Sequence, residues 1–345
     1  MPRKKTAKQV KRSRMFLRAF LATLAIAALG VGTACFFLAN PFGEEEVTRE
    51  IPVPAPYESQ VQLKTLEEQA IKERPALFGD GLCVAEESEP DGQITAKAGI
   101  IFNRTTGEVV YSHNAYETLY PASITKCMTF LTALKHGDLS AKVTVTEEML
   151  ANLDPESSVA GLKPGDTLSL EQLLYGLMLP SGNDAANAIA WLVAGGEEAF
   201  VALMNEEAQA IGATGSHFTN AHGLTDPSHY TTAYDIYLVY NELLDYDKFL
   251  EVVGVPDYTA QYENQGTPVT KTWVRGIWYF NGQAEAPSGV TPIGGKTGTT
   301  PEAGYCLSLA SSDSQDEQYV SVVLKADGRD ALYGNMTALL SKIQK

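Results

Sequence analysis

The chain has 345 residues, 26 lysines and arginines against 42 aspartates and glutamates, and a net charge of −16. With 44% apolar residues, 20% charged ones and 29 glycines it has the make-up of one large or two small globular domains, which excludes disordered, collagen-like and polytopic membrane classes. Residues 1–18 hold eight bases and no acid, so 18 bases face 42 acids in the remainder, a net −24 that repels phosphate backbones and excludes nucleic acid as a partner.

Behind that basic tail, Ala19–Ala39 is an uncharged run of 21 residues. At ~1.5 Å rise per residue it matches a ~30 Å hydrocarbon core, so an N-terminal transmembrane helix is expected. The positive-inside rule places residues 1–18 in the cytoplasm and everything after Asn40 outside, a single-pass protein of the cell membrane with an extracytoplasmic body. The competing reading is a cleaved signal peptide and a secreted body. Against it, the run is longer than the usual apolar region of a signal, and cleavage after Ala39 puts Phe37 at the −3 position. Cys35 fits a lipoprotein cysteine poorly, because Gly32 stands where a branched apolar residue is expected. Residues 40–92, with acid clusters around Glu44–Glu46 and Glu86–Glu89 and the stretch IPVPAPY, read as an extracytoplasmic spacer carrying one short amphipathic helix through Val61, Leu63, Leu66 and Ile71.

Residues 93–345 read as the folded body. Thr95–Phe102 and Glu108–Ser112 are β-rich runs around a polar turn, a hairpin signal. Pro121–His136 is helical, with Ile124, Met128, Leu131 and Leu134 at spacings of three and four, Pro121 at its start and Gly137 past its end. Helical signals recur over Leu170–Leu179, Asn183–Val193 and up to Ile211, broken by Pro180 and by Gly195–Gly196. Gly304–Ala310 and Gln318–Lys325 return to strands, and a closing helix runs from Asp330 to Ile343. Strands at both ends enclosing helices predict one α+β domain whose sheet joins its two termini. Cys83, Cys127 and Cys306 show no C-x-x-C spacing; a Cys127–Cys306 bridge is open, with buried thiols the preferred reading.

Three short patterns carry chemistry. In Ser123-Ile-Thr-Lys126 a separation of three puts a hydroxyl and an amine on one helix face, a nucleophile beside a base once burial or a nearby cation lowers the lysine pKa. Alone, it is also a helix-start serine with a solvated lysine. Ser181-Gly-Asn183 follows Pro180 between two helices, where Ser181 can relay a proton and Asn183 can hold a carbonyl or orient a lysine, or where both simply begin a helix. In Gly294-Gly295-Lys296-Thr297-Gly298-Thr299 the glycines let a ligand approach backbone, while a cation and two hydroxyls suit a carboxylate laid along a strand edge. A phosphate loop is rejected, since Gly289 lies six rather than five residues before Gly295. His217, His222 and His229 lie in one Gly/Asn/Asp-rich stretch without a carboxylate or cysteine at ligand spacing, and read as ordering a loop rather than binding zinc; no metal and no cofactor is expected.

The order S-x-x-K, S-x-N, K-T-G resembles the serine penicillin-recognising enzymes. The wording YPASITK, PSGNDAAN, HFTNAHGLTDPSHYTTAYD and GGKTGTTPEAGYCL is similar to the D-alanyl-D-alanine carboxypeptidases among the low-molecular-mass penicillin-binding proteins, from about Ile94 to Ile343. That resemblance implies a DD-peptidase/β-lactamase-like fold, a roughly five-stranded antiparallel sheet packed with a helical cluster. It implies Ser123 as nucleophile, Lys126 as proton acceptor and Ser181 as proton shuttle, with Asn183 positioning the substrate amide. Lys296, Thr297, Gly298 and Thr299 would form the strand that binds the terminal carboxylate, and the backbone N–H groups of Ser123 and Thr299 the oxyanion hole. The implied partners are a peptidoglycan stem peptide ending in D-Ala-D-Ala, and β-lactams as inhibitors. A class A-like β-lactamase shares the motifs, but between Asn183 and Lys296 no Asn has Glu four places before it. A non-catalytic penicillin-sensing or scaffold protein is the other alternative.

Overall fold

In the computed structural model, residues 82–151 and 153–343 are described; the chain divides between Glu73 and Arg74, and the described residues all belong to the second unit. The expected basic tail, membrane helix and amphipathic spacer helix lie outside the described residues. Among those described, no single helix is long and apolar enough to cross a membrane.

β1 (Ala98–Asn103) is buried at every position, so its sequence is a continuous apolar run rather than an alternation. Both of its faces are covered. It sits inside an antiparallel five-stranded sheet with β2 (Glu108–His113), β7 (Thr291–Thr300), β8 (Gly304–Ser312) and β9 (Gln318–Ala326), ordered β2-β1-β9-β8-β7. Ile100, Phe102, Val320, Val322 and Leu324 point into a core shared with the helices. Ile101, Leu307, Leu309 and Val323 point the other way, against Leu332, Met336 and Leu339 of the closing helix α8 (Arg329–Leu340). The sheet therefore pairs the N-terminal hairpin with C-terminal strands, through Ala98↔Leu324 to Asn103↔Tyr319, and leaves β7 at an edge.

The helical side holds α1 (Thr125–His136), the short α2 (Glu147–Leu150), α3 (Leu170–Met178), α4 (Asn183–Ala194), α5 (Glu197–Ala210), α6 (Ala233–Leu243) and α7 (Asp247–Gly254). Ser169 starts α3 with a reciprocal capping box to Gln172, and Gly195 closes α4 at φ 78°.

Three findings depart from the sequence reading. A second sheet, β3 (Lys142–Thr144), β4 (Asp166–Ser169), β5 (Asp257–Asn264) and β6 (Thr267–Val274), stands beside the helices in that order, and α6 and α7 precede its hairpin. The hairpin turns at Gln265 and Gly266, both at positive φ, as a two-residue loop requires. Secondly, residues 82–92, assigned to the spacer by their acid content, pack on the body: Ala85 is buried, Ser88 N–H donates to Ser112 O at 2.8 Å, and Cys83 N–H donates to Tyr234 Oη at 3.0 Å. The glutamates there are the solvent side of an ordered segment. Thirdly, the helix beginning at Pro121 opens as a 3-10 turn, Ala122–Ile124, and Ser123 sits in that turn ahead of α1. Cys83, Cys127 and Cys306 are free thiols, and burial raises the last two to about 11 and about 12.

Candidate active site

The turn carrying Ser123 is pressed between two segments that each turn a glycine toward it. Ala122 holds φ 48°, an uncommon conformation for a residue with a Cβ. A Cβ on Gly223 (φ 91°) would lie 1.9 Å from Ala122 O, and one on Gly298 would lie 2.9 Å from both Pro121 O and Ser123 N. The edge of β7 and the His222–Leu224 loop thus reach backbone-to-backbone contact with the Ser123 turn.

Lys126 is fully buried one helical turn from Ser123. Its Nζ lies 2.6 Å from Asn183 Oδ1, 2.7 Å from His222 O and 3.0 Å from Ser123 Oγ. Burial, reinforced by the Lys296 charge, holds its pKa well below the ordinary lysine value, with Asp184 pulling weakly the other way. A neutral amine has two N–H bonds and one lone pair. The amide and carbonyl oxygens are pure acceptors and occupy both N–H groups, which leaves the lone pair to the Ser123 hydroxyl. In its neutral form the amine can thereby accept a proton from that one hydroxyl.

Lys296, 2% exposed on β7, donates to Ser181 Oγ at 2.9 Å and to Thr297 O at 2.6 Å, and burial lowers its pKa to about 8. Ser181 is held at φ 62° between α3 and α4. A cavity of about 270 Å³ adjoins these groups, with Ser158, Ser181, Arg275, Thr297, Thr299 and Arg329 in its wall. The structure thus brings Ser123, Lys126 and Asn183 into one hydrogen-bonded cluster, joins Ser181 to Lys296 in a second, and lays Thr297, Gly298 and Thr299 along the β7 edge.

The histidine stretch belongs to the site in a way the sequence reading missed. His222 contributes its carbonyl to Lys126, while its ring Nδ1 accepts from Leu224 N–H at 3.2 Å. His229 Nδ1 accepts from Thr219 N–H at 3.0 Å, so Nε2 carries the proton and donates to Thr125 Oγ1 at 2.8 Å. Burial keeps both rings neutral, lowering His222 to about 3 and His229 to about 4. Ser158, Arg275 and Arg329 were also missed. They come from three distant segments, and no local pattern marks them.

Residues 84–328 match Peptidase_S11, described as D-alanyl-D-alanine carboxypeptidase. The chain is 32% identical over 249 residues to D-alanyl-D-alanine carboxypeptidase DacF of Bacillus subtilis (strain 168) and 36% over 262 residues to DacC of Escherichia coli (strain K12), covering 71% and 72% of this chain. It spans 61% of the length of either relative. The Streptomyces K15 DD-transpeptidase structure superposes with a TM-score of 0.67 at 31% identity, covering 74% of this chain and 98% of that one. The match across residues 84–328, which holds every group of the two hydrogen-bonded clusters, places this chain in the Peptidase_S11 family of D-alanyl-D-alanine carboxypeptidases.

Proposed function

We propose that this chain is a serine-type D-Ala-D-Ala carboxypeptidase that removes the terminal D-alanine from peptidoglycan stem peptides and is acylated by penicillin. One observation carries the reading: Lys126, buried and lowered in pKa, holds its Nζ 3.0 Å from Ser123 Oγ with its other two bonds made to Asn183 Oδ1 and His222 O. Ser123 Oγ attacks the carbonyl between the two D-alanines as its proton passes to Lys126. The C–N bond breaks, the departing amine takes a proton through Ser181, and water later hydrolyses the Ser123 ester. The N–H groups of Ser123 and Thr299 face the oxyanion, a role worth ~3–4 kcal/mol per donor in acyl transfer. Lys296, Thr297 and Thr299 bind the substrate carboxylate, with Arg329 adding charge from the cavity wall. Asn183 serves both Lys126 and the substrate amide. Residues 19–39 anchor the chain in the cell membrane with the body outside, a reading supported by their apolar length and the basic residues before them.

Mass spectrometry of the full-length chain after incubation with benzylpenicillin tests the reading. A long-lived adduct on the peptide containing Ser123, absent in Ser123→Ala, and release of D-alanine from diacetyl-Lys-D-Ala-D-Ala are expected. An adduct that persists in Ser123→Ala refutes the nucleophile. Rapid turnover of penicillin points to a β-lactamase, and an adduct without D-alanine release to a sensor.

A further inference from the structure

Asp184 follows Asn183 in the first turn of α4 and is 2% exposed. Its carboxylate accepts N–H bonds from three consecutive residues, Ala160 at 2.6 Å, Gly161 at 2.7 Å and Leu162 at 2.8 Å, and from Ala185 at 2.9 Å. The same segment is held from its other side. Trp273 Nε1 donates to Ala160 O at 2.8 Å and Lys271 Nζ to Gly161 O at 3.0 Å, both from β6, while Asn183 N–H donates to Ser158 O at 2.9 Å. Residues 158–162 therefore form a strut between the second sheet and the S-x-N loop, and Ser158 at its end walls the cavity beside Lys296. Gly182 is enclosed by this arrangement, since a Cβ there would lie 2.8 Å from Ala160 N and from Asp184 Oδ1. A carboxylate is costly to bury, and the amide donors gathered around it offset that cost with charge-assisted bonds.

We propose that Asp184 is a positioning residue for acyl transfer, one carboxylate that locks the Ser158–Leu162 wall of the cleft to Asn183 and so fixes the seat of Lys126. This rests on the acyl-transfer reading above. Asp184 also acts on Lys126 electrically. Around that amine stand Ser123 on its turn, Cys127 on α1, Asn183 and Asp184 on α4, His222 in its loop and Lys296 on β7. With the Cys127 thiol and the His222 ring neutral, Lys296 and Asp184 are the charges that remain, and they oppose one another.

The test follows the rate of penicillin acylation against pH in the full-length wild type, Asp184→Asn and Asp184→Glu, with thermal unfolding as a check on folding. In Asp184→Asn the plateau is expected to fall about ten- to hundredfold, the effect of a displaced catalytic group. The acid limb should also move to lower pH, because the negative charge that favoured the ammonium is gone. Asp184→Glu keeps the charge and displaces the carboxylate, so it should lower the plateau and leave the limb in place. A role in stability alone would lower the unfolding temperature of both variants and move neither plateau nor limb. Wild-type acylation by Asp184→Glu overturns the proposal, and should Asp184→Asn fail to fold, this variant alone decides. A wild-type chain that penicillin does not acylate defeats the acyl-transfer reading instead.

Discussion

In the proposed mechanism Lys126 and Lys296 have opposite duties within one buried region, since the first must be neutral to accept a proton and the second charged to hold a carboxylate. Burial lowers both pKa values, and the Lys296 charge lowers Lys126 further. The rate constant kcat/KM for peptide hydrolysis should therefore rise with pH through the depressed value of Lys126 and fall through about 8 as Lys296 loses its proton. Lys296→Arg, charged at every accessible pH, should abolish the alkaline limb. A limb that stays in this variant belongs to another group. Lys126→Arg removes the base while keeping a cation, and penicillin acylation should drop by orders of magnitude. The carboxylate role proposed for Lys296 is separable from general electrostatics. Wild type should prefer a D-Ala-D-Ala acid over its amide, whereas Lys296→Gln should treat the two almost alike. An unchanged preference in Lys296→Gln refutes the carboxylate site. The residue types at these positions were legible in the sequence because S-x-x-K fixes a spacing of three along one helix turn. The orienting partner His222 O was not, because any residue type offers that carbonyl and only the path of the loop selects it.

At the scale of elements, the site is the meeting of an edge strand with a 3-10 turn, and glycine sets the distance between them. Gly298→Ala would place a Cβ 2.9 Å from Ser123 N and 3.0 Å from Ile124 N, so β7 must retreat by several tenths of an ångström. Acylation should fall about ten- to hundredfold, the usual effect of ångström-scale misplacement, with a smaller effect on the unfolding temperature. Equal rates in wild type and Gly298→Ala would show that the contact is slack. β1, β8 and β9 were readable as apolar runs because both of their faces are buried, whereas β7, with its glycines and threonines, carries no such run. The β5–β6 hairpin also carries its signal, Tyr258, Ala260 and Tyr262 alternating before the Gln265–Gly266 turn, yet only Ala260 among these is fully buried and the polar positions between them mask the pattern.

Over the whole molecule, His222 and His229 make the fold sensitive to acid. Both are neutral when folded, at about 3 and about 4, against 6.5 when solvated. The unfolded chain therefore takes up protons first. Their contribution is complete above pH 6.5 and is lost on acidification, toward about 4 for His229 and about 3 for His222, at ~1.4 kcal/mol per pH unit for each ring. Urea unfolding of the full-length chain should show a lower midpoint at pH 5 than at pH 7, and His229→Gln should narrow that gap. An identical midpoint at both values would mean that these rings are solvated. The sequence by itself determined the three motifs in their order, the strands of the neighbouring pairs β1–β2 and β8–β9 and the helices beside S-x-x-K and S-x-N, since each depends on residues a few positions apart. Tertiary structure alone decided that β1 pairs with β9, that the strut of residues 158–162 meets Asp184, and that two lysines separated by most of the body share one buried site. The first arises from burying both faces of the main sheet at once, and all three join segments more than twenty residues apart, which no local window contains.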